Sequence, residues 1–143
     1  MNYAWCRPKP IPLFLQALHL SRSFPDSIVK SDHKDLVWSG ILAPRPNSLR
    51  YLAELNYSLG MRPTVRILQP NLSELSGGLK VPHLFSQTDQ TLCLHYHEVF
   101  KAHMKVSDTI VPWAVMWAEY FEWWLATGEW FGDEIDHSPG LNW

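Results

Sequence analysis

Cysteine is scarce in this sequence, which contains only Cys6 and Cys93 among its 143 residues. Two cysteines are too few for the disulfide framework of a small secreted protein or for a four-cysteine zinc site. The scarcity excludes both classes and is typical of a protein in a reducing compartment. We therefore expect a cytoplasmic location.

Positive charge is also in short supply, because 12 Lys and Arg residues stand against 14 Asp and Glu residues, for a formal net charge of -2. The basic residues form no stripe along the chain. A protein that binds nucleic acid directly needs clustered Lys and Arg to neutralise phosphates. The charge pattern therefore argues against a direct nucleic-acid partner.

Long hydrophobic runs are absent. No apolar run follows the first charged residues, so we expect no secretory signal. The most apolar stretch, 109–126, falls short of the roughly 20 residues that a bilayer crossing needs, and Glu119 and Glu122 interrupt it. The stretch predicts a helix covered by the domain or by a partner, not a membrane anchor.

The composition that remains is globular, with 46% hydrophobic and 18% charged residues. A chain of this length fits one domain, so we predict a single domain over 1–143 with its core at about 13–128. Prolines at the start exclude regular structure there, and residues 13–20 then predict a helix that ends at 24–26.

Alternation of apolar and polar residues predicts an antiparallel sheet. Four residues on one side of the segment 50–58 are apolar or aromatic: Tyr51, Ala53, Leu55 and Tyr57. This period of two indicates a half-buried strand, and the segments 36–42 and 64–68 extend it into a meander. The fold class is therefore predicted as α+β.

The rest of the first hundred residues is less regular. The segment 27–35 predicts a connection, and 69–80 predicts a loop because it is rich in Ser, Gly and Asn. Two short apolar pieces, 81–85 and 91–96, lie on either side of a polar turn. Pro82 favours an edge or irregular extended segment for the first of them.

A second helix is predicted near the end of the chain, capped by Ser107 or Asp108, with Pro112 in its first turn and Gly128 at its end. Glu119 and Glu122 predict a solvated edge. Its large residues cannot all lie on one stripe: Trp113, Met116, Trp117, Tyr120, Phe121, Trp123, Trp124 and Leu125.

Two interpretations of this aromatic helix stay open. The tryptophans are either large core residues or, on the outer face, a docking surface, because tryptophan is enriched at the centres of interfaces. For the second interpretation we single out Trp117, Trp124 and Trp130.

Cys93 is the candidate nucleophile, because a thiolate readily forms and releases an acyl group near neutral pH. A cysteine between two leucines is also typical of inert core. A third interpretation is a zinc site, since Cys93, His95 and His97 would project to one face of an extended segment, with His83 or His103 as the fourth ligand.

The order and spacing of these elements resemble the ubiquitin-conjugating enzyme fold. In that family a His-Pro-Asn motif lies ten residues before the thioester-forming cysteine, and here Pro82-His83-Leu84 precedes Leu92-Cys93-Leu94 at that spacing. A closer resemblance is to the stand-alone E2-like proteins of type II CBASS anti-phage operons. It rests on Val65-Arg66-Ile67 with Pro70, on Val81-Pro82-His83, on 92–96, on 109–113 and on 120–130.

The resemblance implies that Cys93 forms a thioester with the C-terminus of a cGAS/DncV-like cyclic-nucleotide synthase (CD-NTase) and passes it to an acceptor such as a protein lysine. It implies no metal and no cofactor. The sequence contains no Gly-x-x-x-x-Gly-Lys and no dinucleotide fingerprint, so another polypeptide is expected to activate the acyl group.

The sequence departs from the eukaryotic motif at one position, because no Asn follows His83. The amide of that Asn is thought to stabilise the oxyanion formed during lysine attack. The alternative donors are backbone N–H groups near Cys93 and the side chains of His83 and His95, which we group with Cys93 as candidate catalytic residues. The rival hypotheses are an inactive docking module of the same fold and a small zinc protein.

Overall fold

A computed structural model describes residues 8–94 and 99–132 of the chain. In chain order its elements are α1 (Leu13–Ser23), β1 (Ile28–Ser31), β2 (Asp35–Leu42), β3 (Tyr51–Ser58), β4 (Thr64–Gln69), α2 (Leu72–Leu75), β5 (Leu84–Ser86), β6 (Thr91–Leu92) and α3 (Ile110–Thr127). The strands form one six-stranded antiparallel sheet in the order β1-β2-β3-β4-β6-β5. The predicted α+β class and meander are confirmed, and the arrangement is consistent with a ubiquitin-conjugating fold.

The alternation predicted in β3 is confirmed. The side chains of Tyr51, Ala53, Leu55 and Tyr57 are buried, and the residues between them are half-buried. In β4, Val65 and Ile67 point inward, each with 2% exposure. The inner face of the sheet therefore forms much of the core, and α1, α2, α3 and some loop residues supply the other buried side chains.

The first helix begins and ends where its flanking residues predict. Pro12 precedes it in extended conformation, and the chain leaves the helix at Phe24. Gln16 is fully buried on its inner face, where its side-chain amide donates to the Met104 carbonyl (2.8 Å) and its carbonyl accepts from the Val106 N–H (3.0 Å). This pair of bonds ties α1 to the segment that leads into α3.

Two predicted irregular segments contain regular structure. Within 27–35, predicted as a connection, β1 pairs with β2, with Ile28 opposite Ser39. Its residues are mostly exposed, so no buried alternation was available to reveal it. Within 69–80, predicted as a loop, α2 forms a single turn whose Glu74 N–H is capped by the Asn71 side chain (3.0 Å).

The aromatic helix α3 ends as predicted but begins differently. Gly128 adopts a left-handed conformation with φ 82° and closes the helix, as the position after a helix favours. The predicted cap at Ser107 or Asp108 is wrong, because Thr109 is the N-cap residue and makes no side-chain cap bond. The Ser107 side chain is buried, and its hydroxyl has no hydrogen-bond partner within the described part of the chain.

None of the helices in the described residues has both the length and the apolar character needed to span a membrane. In α3 the buried residues are Ile110, Val111, Ala114, Trp117, Ala118 and Phe121. The opposite side includes Trp123, which is 44% exposed. One side of the helix is therefore buried and another is exposed, although its sequence is apolar on nearly every side.

Candidate functional site

A short hairpin brings His83 and Cys93 together. β5 and β6 pair with Leu84 opposite Leu92, and this register places His83, just before β5, opposite Cys93, just after β6. The Cys93 N–H donates to the His83 carbonyl across the hairpin at 2.9 Å. Two residues ten positions apart in the sequence thus lie opposite each other, although the register of the hairpin shifts between Leu84 and Ser86.

The His83 carbonyl accepts a second hydrogen bond. The indole N–H of Trp117, on α3, donates to it at 2.9 Å. His83 has a positive φ of 55°, a conformation that is unfavourable for residues other than glycine and that persists where surrounding contacts hold it. Two donors on one carbonyl, one from the hairpin and one from α3, supply such contacts.

The imidazole ring of His83 lies against Trp130. The ring centroids are 5.0 Å apart with an interplanar angle of 33°. Trp130 is partly buried and also contacts Trp117 (5.4 Å) and Tyr120 (6.1 Å) of α3. Backbone and side chain of His83 are therefore both in contact with tryptophans at the C-terminal side of the chain.

Two glutamines hold the arms of the hairpin, and sequence reasoning missed both. The side chain of Gln87 bonds both the N–H (3.1 Å) and the carbonyl (2.7 Å) of Val81, two residues before His83. Gln90 is buried, and its amide bridges the carbonyl of Ile67 (2.8 Å) and the N–H of Leu72 (2.7 Å). In the sequence, only the two glutamines within the polar turn 86–90 indicated such roles.

Cys93 is not part of a disulfide, and the residue is partly exposed rather than buried in the core. Its backbone N–H is already bonded to the His83 carbonyl, so this group is not available to stabilise an oxyanion. The backbone N–H of Cys93 is therefore no longer a candidate among the oxyanion donors suggested by the sequence.

The predicted zinc ligands are only partly within the described residues. His95 and His97 lie outside them, so the structure describes neither their positions nor the predicted catalytic role of His95. Among residues 8–94 and 99–132, no three His, Cys, Asp or Glu side chains are grouped as metal ligands would be. His103 is described, in the loop before α3, and belongs to no such group.

The three tryptophans singled out for docking have different environments. Trp117 is only 3% exposed, so the expectation that it lies on an outward surface is wrong: its ring stacks on Phe121 inside the fold. Trp124 and Trp130 are partly buried against the core, and their docking role stays a prediction. Sequence periodicity could not separate these positions because every side of α3 is apolar.

The family model of the type II CBASS E2 protein matches residues 16–138. This match covers the hairpin, Cys93 and the aromatic helix. The chain belongs to the type II CBASS E2 family. A comparison with curated proteins finds no similar sequence. Membership makes the chain a CBASS-associated E2-like protein with a CD-NTase in its operon context, as the sequence resemblance indicated.

A charged cluster in the C-terminal half of α3 in this E2 protein corrects the prediction of a solvated edge. Glu122 accepts a hydrogen bond from the hydroxyl of the buried Tyr51 (2.8 Å) and pairs with Arg45 (3.2 Å). Arg45 also pairs with Glu119 (3.6 Å). These contacts join α3 to the β2–β3 connection and to the first residue of β3.

Tyr51 is expected to make the free energy of unfolding of the E2 protein fall at alkaline pH. Burial, reinforced by the hydrogen bond to Glu122, raises the pKa of Tyr51 far above its usual range. Above about pH 10 an unfolded tyrosine loses its proton while the native one keeps it, so stability falls as pH rises through that range. We expect Tyr51→Phe to flatten this fall, measured by urea unfolding at pH 8 to 11.

The same substitution is expected to lower stability near pH 8 by about 1 kcal/mol, because Glu122 loses a donor. Tyr57 also has a raised pKa, through burial, and remains in both proteins, so the difference between the two curves isolates Tyr51. If the unfolding free energies of the unaltered protein and of Tyr51→Phe fall in parallel above pH 10, Tyr51 is not the cause of the fall.

Proposed function

We propose that this protein is a thioester-forming cysteine transferase that acts on the C-terminus of a CD-NTase. The proposal is carried by Cys93, a partly exposed cysteine outside any disulfide, whose backbone is held opposite His83 in the part of the chain that matches the E2 family. Neither a partly exposed cysteine nor the family match suffices alone. Together they favour an acyl carrier over a structural cysteine.

The chemistry begins with an acyl group that another polypeptide has activated, as an acyl adenylate or a thioester. The Cys93 thiolate attacks the carbonyl carbon, the C–S bond forms, and the leaving group departs with its bonding electrons. An acceptor amine then attacks the same carbon. The C–N bond forms as the C–S bond breaks, and the thiolate is released.

Each attack places negative charge on the carbonyl oxygen. A donor aimed at that oxygen lowers the barrier, and removing one such donor costs an enzyme about 100- to 1000-fold in rate. Because the Cys93 N–H is bonded to the His83 carbonyl, we assign this role to a histidine, His83 or His95. The synthase itself is proposed to contact Trp124, which is only partly buried against the core.

The test is the intact mass of the protein purified with the other products of its operon, without reductant. We expect a species heavier than 16.6 kDa by the mass of a whole partner, which neutral hydroxylamine converts back. Hydroxylamine cleaves a thioester but leaves a disulfide intact, so the treatment separates acyl transfer from oxidation.

Recovery of the unmodified mass alone, with the partner still bound, would instead support the docking module. The matched control is Cys6→Ala, which removes the only other thiol and is expected to leave the adduct unchanged.

A further inference from the structure

The segment that follows α3 folds back onto the helix. Gly128 reverses the chain with a left-handed conformation, and Trp130 then packs on Trp117 and Tyr120. Phe131 contacts Trp123 edge to face at 5.8 Å. The segment 129–132 therefore lies along α3 and brings Trp130 to the imidazole of His83.

Gly132 permits this close packing. A Cβ atom at Gly132 would lie 2.7 and 2.8 Å from two carbon atoms of the Tyr120 ring and 2.9 Å from the indole nitrogen of Trp130. Contacts this short between a Cβ atom and two rigid rings would force the rings or the backbone to move. The absence of a side chain at Gly132 is thus a condition for the observed position of Trp130.

The backbone and the side chain of His83 are held by different contacts. The carbonyl is held by the N–H groups of Cys93 and Trp117, which orient the backbone. The imidazole is held in a different way, because its ring packs against the ring of Trp130. Contacts between aromatic rings favour particular relative orientations, so this contact acts on the orientation of the imidazole.

We propose that Trp130 is a positioning residue for the thioester site, holding the His83 imidazole in the orientation used beside Cys93, with Gly132 allowing it to do so. This inference rests on the proposed function. It assigns no contact between Trp130 and the acyl group. It means that the segment 129–132, distant in sequence from the cysteine, sets the geometry of the reaction.

The test compares Trp130→Ala, Trp130→Phe and Gly132→Ala in the full chain. Misplacing a group that acts on the transition state by about 1 Å costs on the order of 100-fold, so we expect Trp130→Ala to slow thioester formation by about 10- to 100-fold. Trp130→Phe keeps a ring against His83 and is expected to stay within about threefold of the unaltered protein. The control is Phe14→Ala, which removes an exposed aromatic ring from α1.

A second measurement reads the orientation of His83 without any partner. The Hα–Hβ coupling constants of His83 report its χ1 rotamer and do not depend on the ring current of Trp130, and we expect both Trp130→Ala and Gly132→Ala to change these NMR signals while Phe14→Ala does not. Unchanged His83 signals in the first two variants overturn the proposal. So does a Trp130→Phe protein that is folded and as slow as Trp130→Ala.

The rate of thioester formation and the His83 NMR signals also test the proposed function and the role of Trp130 separately. If the unaltered protein forms no thioester, the proposed function fails. The His83 signals still report whether Trp130 orients the ring, because they need neither the synthase nor an activated acyl group.

Discussion

Replacing Cys93 by alanine is expected to abolish the hydroxylamine-sensitive adduct completely and to leave the fold intact. The side chain is partly exposed, so its removal opens no large cavity. The bond from residue 93 to the His83 carbonyl uses the backbone N–H, which alanine retains. The measurement is intact mass after co-expression, with thermal unfolding as the check on folding.

Cys93→Ser sharpens this prediction because serine is close in size but cannot form a disulfide. Any adduct on the serine variant is an oxygen ester, which resists exchange with thiols that remove the wild-type adduct. An adduct that persists in Cys93→Ala, or that disappears in Cys6→Ala, would place the acyl group elsewhere and contradict the assignment.

Replacing Gly40 by alanine is expected to destabilise the protein by about 1–3 kcal/mol, the usual cost of overpacking a core. Gly40 lies in β2 beneath the ring of Trp38, two residues away on the same face. A Cβ at Gly40 would overlap the Trp38 ring, with one contact at 2.7 Å and a closer one to a neighbouring carbon. The ring cannot move aside because it is 1% exposed and packed edge to face on Phe24.

The indole N–H of Trp38 adds a second restraint, since it donates to the Ser27 hydroxyl at 2.8 Å. The measurement is the urea unfolding free energy at neutral pH. Ser39→Ala is the matched control, because Ser39 lies on the outer face of the same strand and such changes cost at most about 0.5 kcal/mol. Equal stabilities for the two variants would show that the Trp38 ring does not restrict position 40.

Local patterns in the sequence determined several elements of the fold. The alternation from Tyr51 to Tyr57 identified β3 and its buried face, because side chains of a strand point alternately to two sides. Pro12 and Gly128 marked the start of α1 and the end of α3, since each restricts or permits a specific backbone conformation. The ten-residue spacing of His83 and Cys93 made this pair the candidate site, and the hairpin places the two residues opposite each other.

Other features depend on contacts between segments that are distant in sequence. β1 exists because β2 offers it a partner, and its exposed residues carry no periodic signal of their own. The buried position of Trp117 follows from the docking of α3 on the hairpin, where the His83 carbonyl accepts its N–H.

The contact between Trp130 and His83 depends on the chain reversal at Gly128 and on the space left by Gly132. The sequence by itself thus determined which residues are candidates for the chemistry, because spacing and side-chain type are local properties. Only the tertiary structure decided which tryptophans are buried and which contact His83, because an all-apolar helix has no face that its own sequence distinguishes.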